Sequence, residues 1–240
     1  MTNDAGLQQL AWESNFFEKN IYSLDVGQIP HQGVFDPLYD GALIQVKVSA
    51  TQLHLVDKLH DLGFQWVESE LFFSKQIDQN NPLEERLLHA GFDDEDAVAE
   101  IASQALVHSR FREPWFEKGA AGRFYGQWAK NAIHGQYDDV CLKIQSEMSN
   151  ELMGFVTAKI NHSSKAARIG LIAVANAFHN KKCGSTLLRQ IESWAKTKGL
   201  ATIDVATQGS NLRAAQFYLK NAFQMTAIQY WFYRCQPERK

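Results

Sequence analysis

Long apolar runs, paired cysteines and blocks of like charge are all missing from this 240-residue chain. No stretch approaches the ~20 apolar residues of a membrane span, and the first residues lack the basic start and apolar centre of a signal peptide. The three cysteines, Cys141, Cys183 and Cys235, form no CxxC motif and cannot all pair with one another. These absences favour a reducing compartment, so we expect a cytoplasmic protein that does not insert into a membrane.

Neither sign of charge predominates in the chain. The chain has 24 Lys and Arg against 27 Asp and Glu, a formal net charge of -3. A nucleic-acid partner is therefore not predicted, and any anionic ligand must be held by local groups.

What the chain does have is a hydrophobic fraction of 45%, ordinary for a globular protein with a buried core. From Gly91 onward, segments with strand-like and helix-like spacing alternate, which predicts a mixed α/β structure. AFHNKKCGSTLLRQIESWAKTKG is a polar loop that leads into an amphipathic helix ending at Gly199. The strand ATIDVAT, the helix LRAAQFYLKN and the aromatic strand MTAIQYWFYR follow it.

The first ninety residues look like a separate unit that repeats the plan of the chain's end. The two segments align without a gap when Phe64 is placed on Phe223, which pairs Gln52 with Asn211 and Leu59 with Tyr218. We interpret this as a degenerate duplication, with domains at 1–90 and 91–240. The alternative is a chance likeness between strand-helix-strand units.

The loop before Gly184 has the form of an anion site. A helix N-terminus exposes unpaired N–H groups and the positive end of its dipole, so it can hold a pyrophosphate without a basic patch. Two other interpretations remain open at this point: an ordinary loop with solvated lysines, or a reactive thiol at Cys183 near the helix start.

The order of these segments, AFHNKKCGSTLL, strand, turn with Asn211, helix with Tyr218, then Phe223 and a β-rich end, resembles the GNAT superfamily of acetyl-CoA-dependent N-acetyltransferases. The resemblance implies an α/β GNAT fold, here preceded by a smaller, degenerate, half-GNAT-like N-terminal domain. In that family the loop reads Q/R-x-x-G-x-G/A. Those positions are His179, Lys182 and Gly184 in this chain, and only Gly184 matches.

The same resemblance implies acetyl-CoA as co-substrate, direct transfer and no metal. It implies that the ARIGLIAV strand splays from its neighbour and offers free N–H groups to the pantetheine and the thioester oxygen. Asn211 would contact the cofactor arm or simply cap its helix, and Tyr218 would donate a proton to the leaving thiolate or simply lie in the core. The expected cofactor-binding residues are Leu171, Ile172, Ala173, Val174, His179, Asn180, Lys181, Lys182, Cys183, Gly184, Ser185 and Asn211.

Stretches over the full chain narrow the likeness to bacterial sugar-nucleotide N-acetyltransferases. These are WESNFFEKN, SRFREPWF, GRFYGQW, RIGL and VATQ; one departure is Glu18, where related sequences tend to have glycine. The resemblance implies transfer to the 4-amino group of dTDP-4-amino-4,6-dideoxy-D-galactose. Aromatic rings for the base or sugar and arginines for the diphosphate predict an acceptor pocket drawn from Phe111, Arg112, Trp115, Arg123, Tyr125 and Trp128.

A base for the acceptor ammonium is harder to find. Glu68 and Glu70 lie two apart in QWVESELFF and would face the same side of a strand, and we favour Glu68 acting through water. A solvated edge strand is the alternative. Other acceptors also remain open, namely another amino sugar or a protein amine, as does a non-catalytic acyl-CoA sensor. The sequence does not decide between a monomer and a homodimer.

Overall fold

A computed structural model describes residues 6–29, 41–84 and 86–235. The strands in these ranges are β1 (Leu7–Gln9), β2 (Ile21–Leu24), β3 (Leu43–Ser49), β4 (Gln65–Gln76), β5 (Val140–Gln145), β6 (Leu152–Asn161), β7 (Ala166–Val174), β8 (Thr202–Gln208) and β9 (Gln224–Cys235). The α-helices are α1 (Ala11–Phe16), α2 (Leu53–Asp61), α3 (Glu95–Ala105), α4 (Ala120–Ile133), α5 (Cys183–Thr197) and α6 (Leu212–Lys220).

All of these strands form one sheet in the order β1-β2-β3-β9-β4-β8-β7-β6-β5. The β2–β3 and β7–β8 pairs are parallel and the other pairs are antiparallel. The predicted α/β fold with a mixed sheet is therefore confirmed. The sheet also joins the two predicted units, because β4 of the first lies between β8 and β9 of the second.

The repeated segments match element for element. Phe64 and Phe223 are 159 residues apart, and the same offset carries the bounds of β3, α2 and β4 onto those of β8, α6 and β9. Each helix ends in the same way. Gly63 and Ala222 both have positive φ, and the next N–H bonds to the carbonyl of Leu59 in one copy and of Tyr218 in the other, at 2.9 and 3.1 Å.

Strand pairing gives the two copies an approximate two-fold relation. Glu70 pairs with Gln229, its own counterpart, in the centre of the β4–β9 ladder. The ladder has a bulge on each side of this pair, at Val67 in β4 and at Thr226 in β9, which are again counterparts. The last strand of each copy thus pairs with strands of the other copy: β4 with β8 and β9, and β9 with β3 and β4. The division at residue 90 and the half-GNAT description of the first unit remain predictions.

Helices cover both faces of the sheet. Residues of α5 and α6 share one core cluster with β6, β7, β8 and Phe73 of β4, and α2 covers β3 and β9. Helices α3 and α4 pack on the other face of the β5–β7 region. The arrangement leaves β7 between two helical layers.

Three of the aromatic stretches quoted above meet in one cluster. Phe17 from WESNFFEKN contacts Phe111 and Phe116 from SRFREPWF and stacks on Phe124 from GRFYGQW. Glu18 follows α1 with a φ of 50°. This left-handed conformation favours glycine, which accounts physically for the glycine of the related sequences.

Candidate active site

A cleft opens where β7 and β8 separate. Their parallel pairing ends at Ile169 opposite Val205, although both strands continue. The predicted splay of these two strands is therefore present. The cleft is lined by Leu106, His108, Tyr125, Ile169, Gly170, Leu171, Ile172, Val205, Ala206, Thr207, Gln208, Asn211, Ala214 and Tyr218.

A β-bulge shapes one wall of the cleft. In the β6–β7 ladder Gly170 and Leu171 together oppose the single residue Thr157. In a regular strand Ile169 and Leu171 would lie on the same face, but the extra residue puts them on opposite faces. Ile169 packs in the α5 cluster and Leu171 in the α3–α4 cluster. The Leu171 N–H donates to Thr157 Oγ1 at 2.9 Å. Of the four predicted β7 contacts, Leu171 thus already uses its N–H within the protein.

Asp138 packs against this bulge. It is 5% exposed and accepts a hydrogen bond from Trp128 Nε1 at 3.0 Å. Burial raises the pKa of Asp138, and hydrogen bonds from Thr157 and Trp128 oppose that rise. A Cβ on Gly170 would lie 2.7 and 2.9 Å from the two carboxylate oxygens and 2.9 Å from Thr157 Oγ1. Only glycine fits there, because the carboxylate is held in place.

The loop before α5 is held to β7. His179 Nε2 lies 2.9 Å from the Val174 carbonyl oxygen. Asn180 and Lys182 have φ values of 62° and 61°, so the first glycine position of the family motif keeps a left-handed backbone although it carries a lysine, Lys182. Lys181 and Lys182 are exposed, and Lys181 Nζ lies 4.9 Å from the centre of the Phe178 ring. Cys183, by contrast, is 5% exposed and belongs to the core.

The N-terminus of α5 is open to a ligand. Lys182, its N-cap, makes no side-chain capping bond, and the first N–H that bonds back within the helix is that of Thr186, at 3.0 Å from the Lys182 carbonyl oxygen. The N–H groups of Cys183, Gly184 and Ser185 are thus available as donors. Three such groups and the helix dipole fit a phosphate.

Asn211 and Tyr218 lie on the opposite wall. Asn211 begins α6, and its Oδ1 accepts the Ala214 N–H at 3.1 Å, so it caps the helix and lines the cleft at once. Tyr218 is 3% exposed, and its ring contacts Phe73, Phe217 and Phe223. Burial raises the pKa of Tyr218 above its usual value and is the sole cause of the shift, because no described residue hydrogen-bonds to the hydroxyl.

Glu68 belongs to β4, and its side chain contacts the turn between β8 and α6. It is 6% exposed; Oε2 accepts from the Ser210 hydroxyl at 2.6 Å and Oε1 from the Ser69 N–H at 2.9 Å. Ser210 directly precedes Asn211. The first unit therefore delivers a buried carboxylate to the second unit's cleft turn, although Glu68 itself does not line the cleft.

A model of the acetyltransferase (GNAT) family matches residues 96–223. The chain belongs to this family. It is also 32% identical over 230 residues, 96% of this chain and 98% of the other, to "dTDP-fucosamine acetyltransferase" of Escherichia coli O6:H1. The predicted GNAT membership is confirmed, and the protein is an acetyl-CoA-dependent acetyltransferase.

Solved structures agree on the fold. A GCN5-related N-acetyltransferase from Sphaerobacter thermophilus is 13% identical with a TM-score of 0.59; the match covers 84% of this chain and 62% of that one. A conserved protein of unknown function from Staphylococcus epidermidis is 12% identical with a TM-score of 0.57; that match covers 98% of this chain and 93% of the other. The second match thus includes the part of the chain that precedes the residues matched by the family model.

The residues predicted to hold this acetyltransferase's acceptor occupy different environments. Phe111 and Trp115 are buried in the aromatic cluster and Trp128 is bonded to Asp138. Tyr125 lines the cleft; burial raises its pKa, and its hydroxyl lies 3.3 Å from Ser109 Oγ. Whether each of these aromatic residues contacts the acceptor stays a prediction, as do the roles of Tyr218, Glu68 and the cofactor loop.

Sequence reasoning missed several residues of the site. His108, Gly170 and Gln208 line the cleft, and the Gln208 Oε1 atom is buried without a hydrogen-bond partner among the described residues. A glycine inside the apolar β7 segment was the available signal for a bulge. Nothing local marked His108, which follows the end of α3.

A second, more open depression lies along residues 17–19 and 113–117. It is acidic, with Glu18, Glu113 and Glu117, and includes neither Tyr218 nor the splayed strands, so it does not suit a phosphate-bearing ligand. No group of three His, Cys, Asp or Glu side chains that could hold a metal occurs within residues 6–29, 41–84 and 86–235. None of the helices in the described part of the chain has the length and apolar composition of a membrane span.

Proposed function

We propose that this acetyltransferase transfers the acetyl group of acetyl-CoA to the 4-amino group of dTDP-4-amino-4,6-dideoxy-D-galactose, a step of enterobacterial common antigen synthesis. The observation that carries the acceptor assignment is the 32% identity to dTDP-fucosamine acetyltransferase over almost the full length of both chains. The three free cysteines support a cytoplasmic, reducing location for this reaction.

The open N-terminus of α5 and the loop from His179 to Ser185 bind the diphosphate of CoA in this proposal. The splayed ends of β7 and β8 receive the pantetheine arm, and those N–H groups of β7 beyond Leu171 that point away from β6 polarise the thioester carbonyl. Asn211 contacts the arm from the turn before α6.

Glu68, through Ser210 or a water molecule, accepts a proton from the acceptor ammonium. The neutral nitrogen attacks the thioester carbon, the C–N bond forms and the C–S bond breaks. Tyr218 donates its proton to the departing sulfur. The reference pKa of a phenol, about 10, exceeds that of a thiol by roughly 1.5 units, about 2 kcal/mol. Burial disfavours both anions, so Tyr218 stays protonated until negative charge develops on sulfur.

The test measures CoA thiol release from the purified protein with acetyl-CoA and a panel of amines. The panel holds dTDP-4-amino sugars of both 4-configurations, the same sugars without dTDP, and a lysine peptide. Turnover that requires the dTDP-linked sugar supports the proposal. Turnover on the peptide alone would replace it with a protein acetyltransferase. Cofactor binding without turnover on any amine would indicate a sensor.

A further inference from the structure

Three arginines lie in the stretch predicted to hold the acceptor's diphosphate or next to it, and two are already committed to protein groups. Arg112 donates from Nη2 to the Val67 carbonyl oxygen at 2.9 Å and from Nη1 to that of Glu113 at 3.1 Å. Arg123 forms an ion pair with Glu117 on the surface. Arg110, which sequence reasoning passed over, has a different environment.

Arg110 has no carboxylate partner among the described residues. Its guanidinium carbon lies 4.1 Å from the ring centre of Trp231 and 4.2 Å from that of Phe111. Nη1 donates to Gln45 Oε1 at 2.7 Å and to the Tyr233 hydroxyl. Both acceptors are neutral, and Nε and Nη2 make no hydrogen bond to a described residue. The side chain is therefore a partly buried cation with one donor edge unused.

A second cation lies beside Arg110. Lys47 Nζ lies 4.7 Å from the same Trp231 ring, so two cations share one indole. The nearby carboxylate of Glu70 is paired with Lys47 at 2.9 Å. Glu68, the strand partner of Trp231, accepts hydrogen bonds from Ser210 and Ser69, and Glu13 lies near enough to Tyr233 to raise the pKa of its hydroxyl. None of these carboxylates forms an ion pair with Arg110, so its guanidinium lacks an anionic partner among the described residues. Such a site favours an anion.

The position of Arg110 suits the acceptor and not CoA. Its neighbours Gln45, Trp231 and Tyr233 belong to β3 and β9, two strands or more from β7 and the α5 N-terminus. On the other side, the Phe111 ring contacts Tyr125, which lines the cleft together with Tyr218. Burial raises the pKa of Tyr125 and of Tyr233, and the positive charge of Arg110 opposes both rises, because the guanidinium lies close to the two hydroxyls.

We propose that the unused guanidinium edge of Arg110 binds the diphosphate of the nucleotide-sugar acceptor, with the sugar extending along Tyr125 into the cleft. This inference rests on the proposed function. A planar guanidinium held flat on aromatic rings presents two parallel N–H donors, the arrangement that recognises phosphate oxygens.

The experiment is calorimetric titration of dTDP, and of thymidine as the probe without phosphates, into the CoA-saturated protein. Variants are Arg110→Met, which keeps the stem and loses the charge, and Arg110→Lys, which keeps the charge and loses the fork. Arg189→Met is the matched control, because Arg189 is an exposed arginine of α5 paired with Glu84. Loss of a charge-assisted pair should weaken dTDP binding to Arg110→Met by roughly 10- to 100-fold.

Arg110→Lys should lose less, and thymidine and CoA affinities should match wild type in every variant. If wild type binds CoA but neither dTDP nor any dTDP-sugar, the proposed function and the Arg110 assignment are both overturned. If wild type binds dTDP and Arg110→Met binds it as tightly, the Arg110 assignment is overturned. A parallel loss of dTDP and CoA affinity in both Arg110 variants also overturns it, since that result indicates a structural role.

Discussion

Replacing Tyr218 by phenylalanine separates the chemistry of this residue from its packing. The ring keeps its contacts with Phe73, Phe217 and Phe223, whose centres lie 5.6, 5.4 and 5.5 Å away. The hydroxyl has no hydrogen-bond partner among the described residues, so its removal leaves no orphaned group. We expect the free energy of unfolding to change by about 0.5 kcal/mol or less, equivalent to a Tm shift of about 2 °C or less.

The rate should respond very differently. General-acid assistance is typically worth about 10²–10⁴-fold, so kcat should fall by the equivalent of about 3–5 kcal/mol of activation free energy. The KM for the acceptor should change little, because the proton is transferred only as the C–S bond breaks.

Melting and turnover are measured on the same preparation, with the CoA-induced Tm shift as the check on the cofactor site. Tyr218→Leu is the packing control, since leucine is the residue at the counterpart position, Leu59. Loss of the ring contacts should lower stability by about 1–3 kcal/mol in addition to the loss of rate. A stable Tyr218→Phe protein with full turnover would refute the general-acid role.

Four further outcomes follow from the same geometry. Gly170→Ala should cost about 1–3 kcal/mol of stability and weaken CoA binding in titrations, because its Cβ would meet the held carboxylate of Asp138 at 2.7 Å; unchanged CoA affinity would contradict a role for the bulge. Lys182→Gly and Lys182→Ala should weaken CoA equally by loss of charge, but only the glycine variant should raise Tm, by about 2–4 °C, since φ is 61° there; equal Tm values would contradict the strain. Glu68→Gln should bind CoA normally and lose kcat mainly below the pKa of the acceptor amine, whereas wild-type rates at every pH would dismiss it as a base. Because burial raises the folded-state pKa of Tyr218 above the unfolded value of about 10, its contribution to stability is complete below about pH 10 and is lost as pH rises beyond it; denaturation at pH 9 to 11 should therefore show a shallower alkaline decline for Tyr218→Phe than for wild type.

The sequence was informative wherever local chemistry decides structure. Turn glycines and helical periodicity located the elements from Gly91 onward, and the ungapped match of Phe64 to Phe223 predicted three pairs of elements whose bounds coincide in the structure. The loop before Gly184 was recognised because a helix start and a polar segment are both local features. Only the family resemblance predicts that β7 and β8 separate; no local feature of either strand does.

Contacts between strands that are distant in sequence could not be predicted from the sequence. The bulge at Gly170 depends on Thr157 in the neighbouring strand and on Asp138 before β5, neither of which the β7 segment reveals. The insertion of β4 between β8 and β9 is likewise a matter of topology, and it is what brings Glu68 to Ser210. Two arginines on either side of Phe111 have different partners for the same reason: Arg112 donates to backbone carbonyls, while Arg110 packs on Trp231.

The two copies show why the helix position alone does not make a catalytic residue. Leu59 and Tyr218 occupy the same place before a left-handed helix end, and both are buried, at 0% and 3% exposure. Each helix follows a strand with a parallel neighbour: β2 beside β3 in one copy, and β7 beside β8 in the other. β7 is nine residues long, is bulged, and continues for five residues beyond its pairing with β8, whereas β2 has four residues, three of which pair with β3. Among the described residues, the cleft between β7 and β8 borders the second helix, where a tyrosine hydroxyl can meet a ligand. In the first copy a tyrosine hydroxyl would be buried in the core without a partner, whereas leucine fills the same position without burying a polar group.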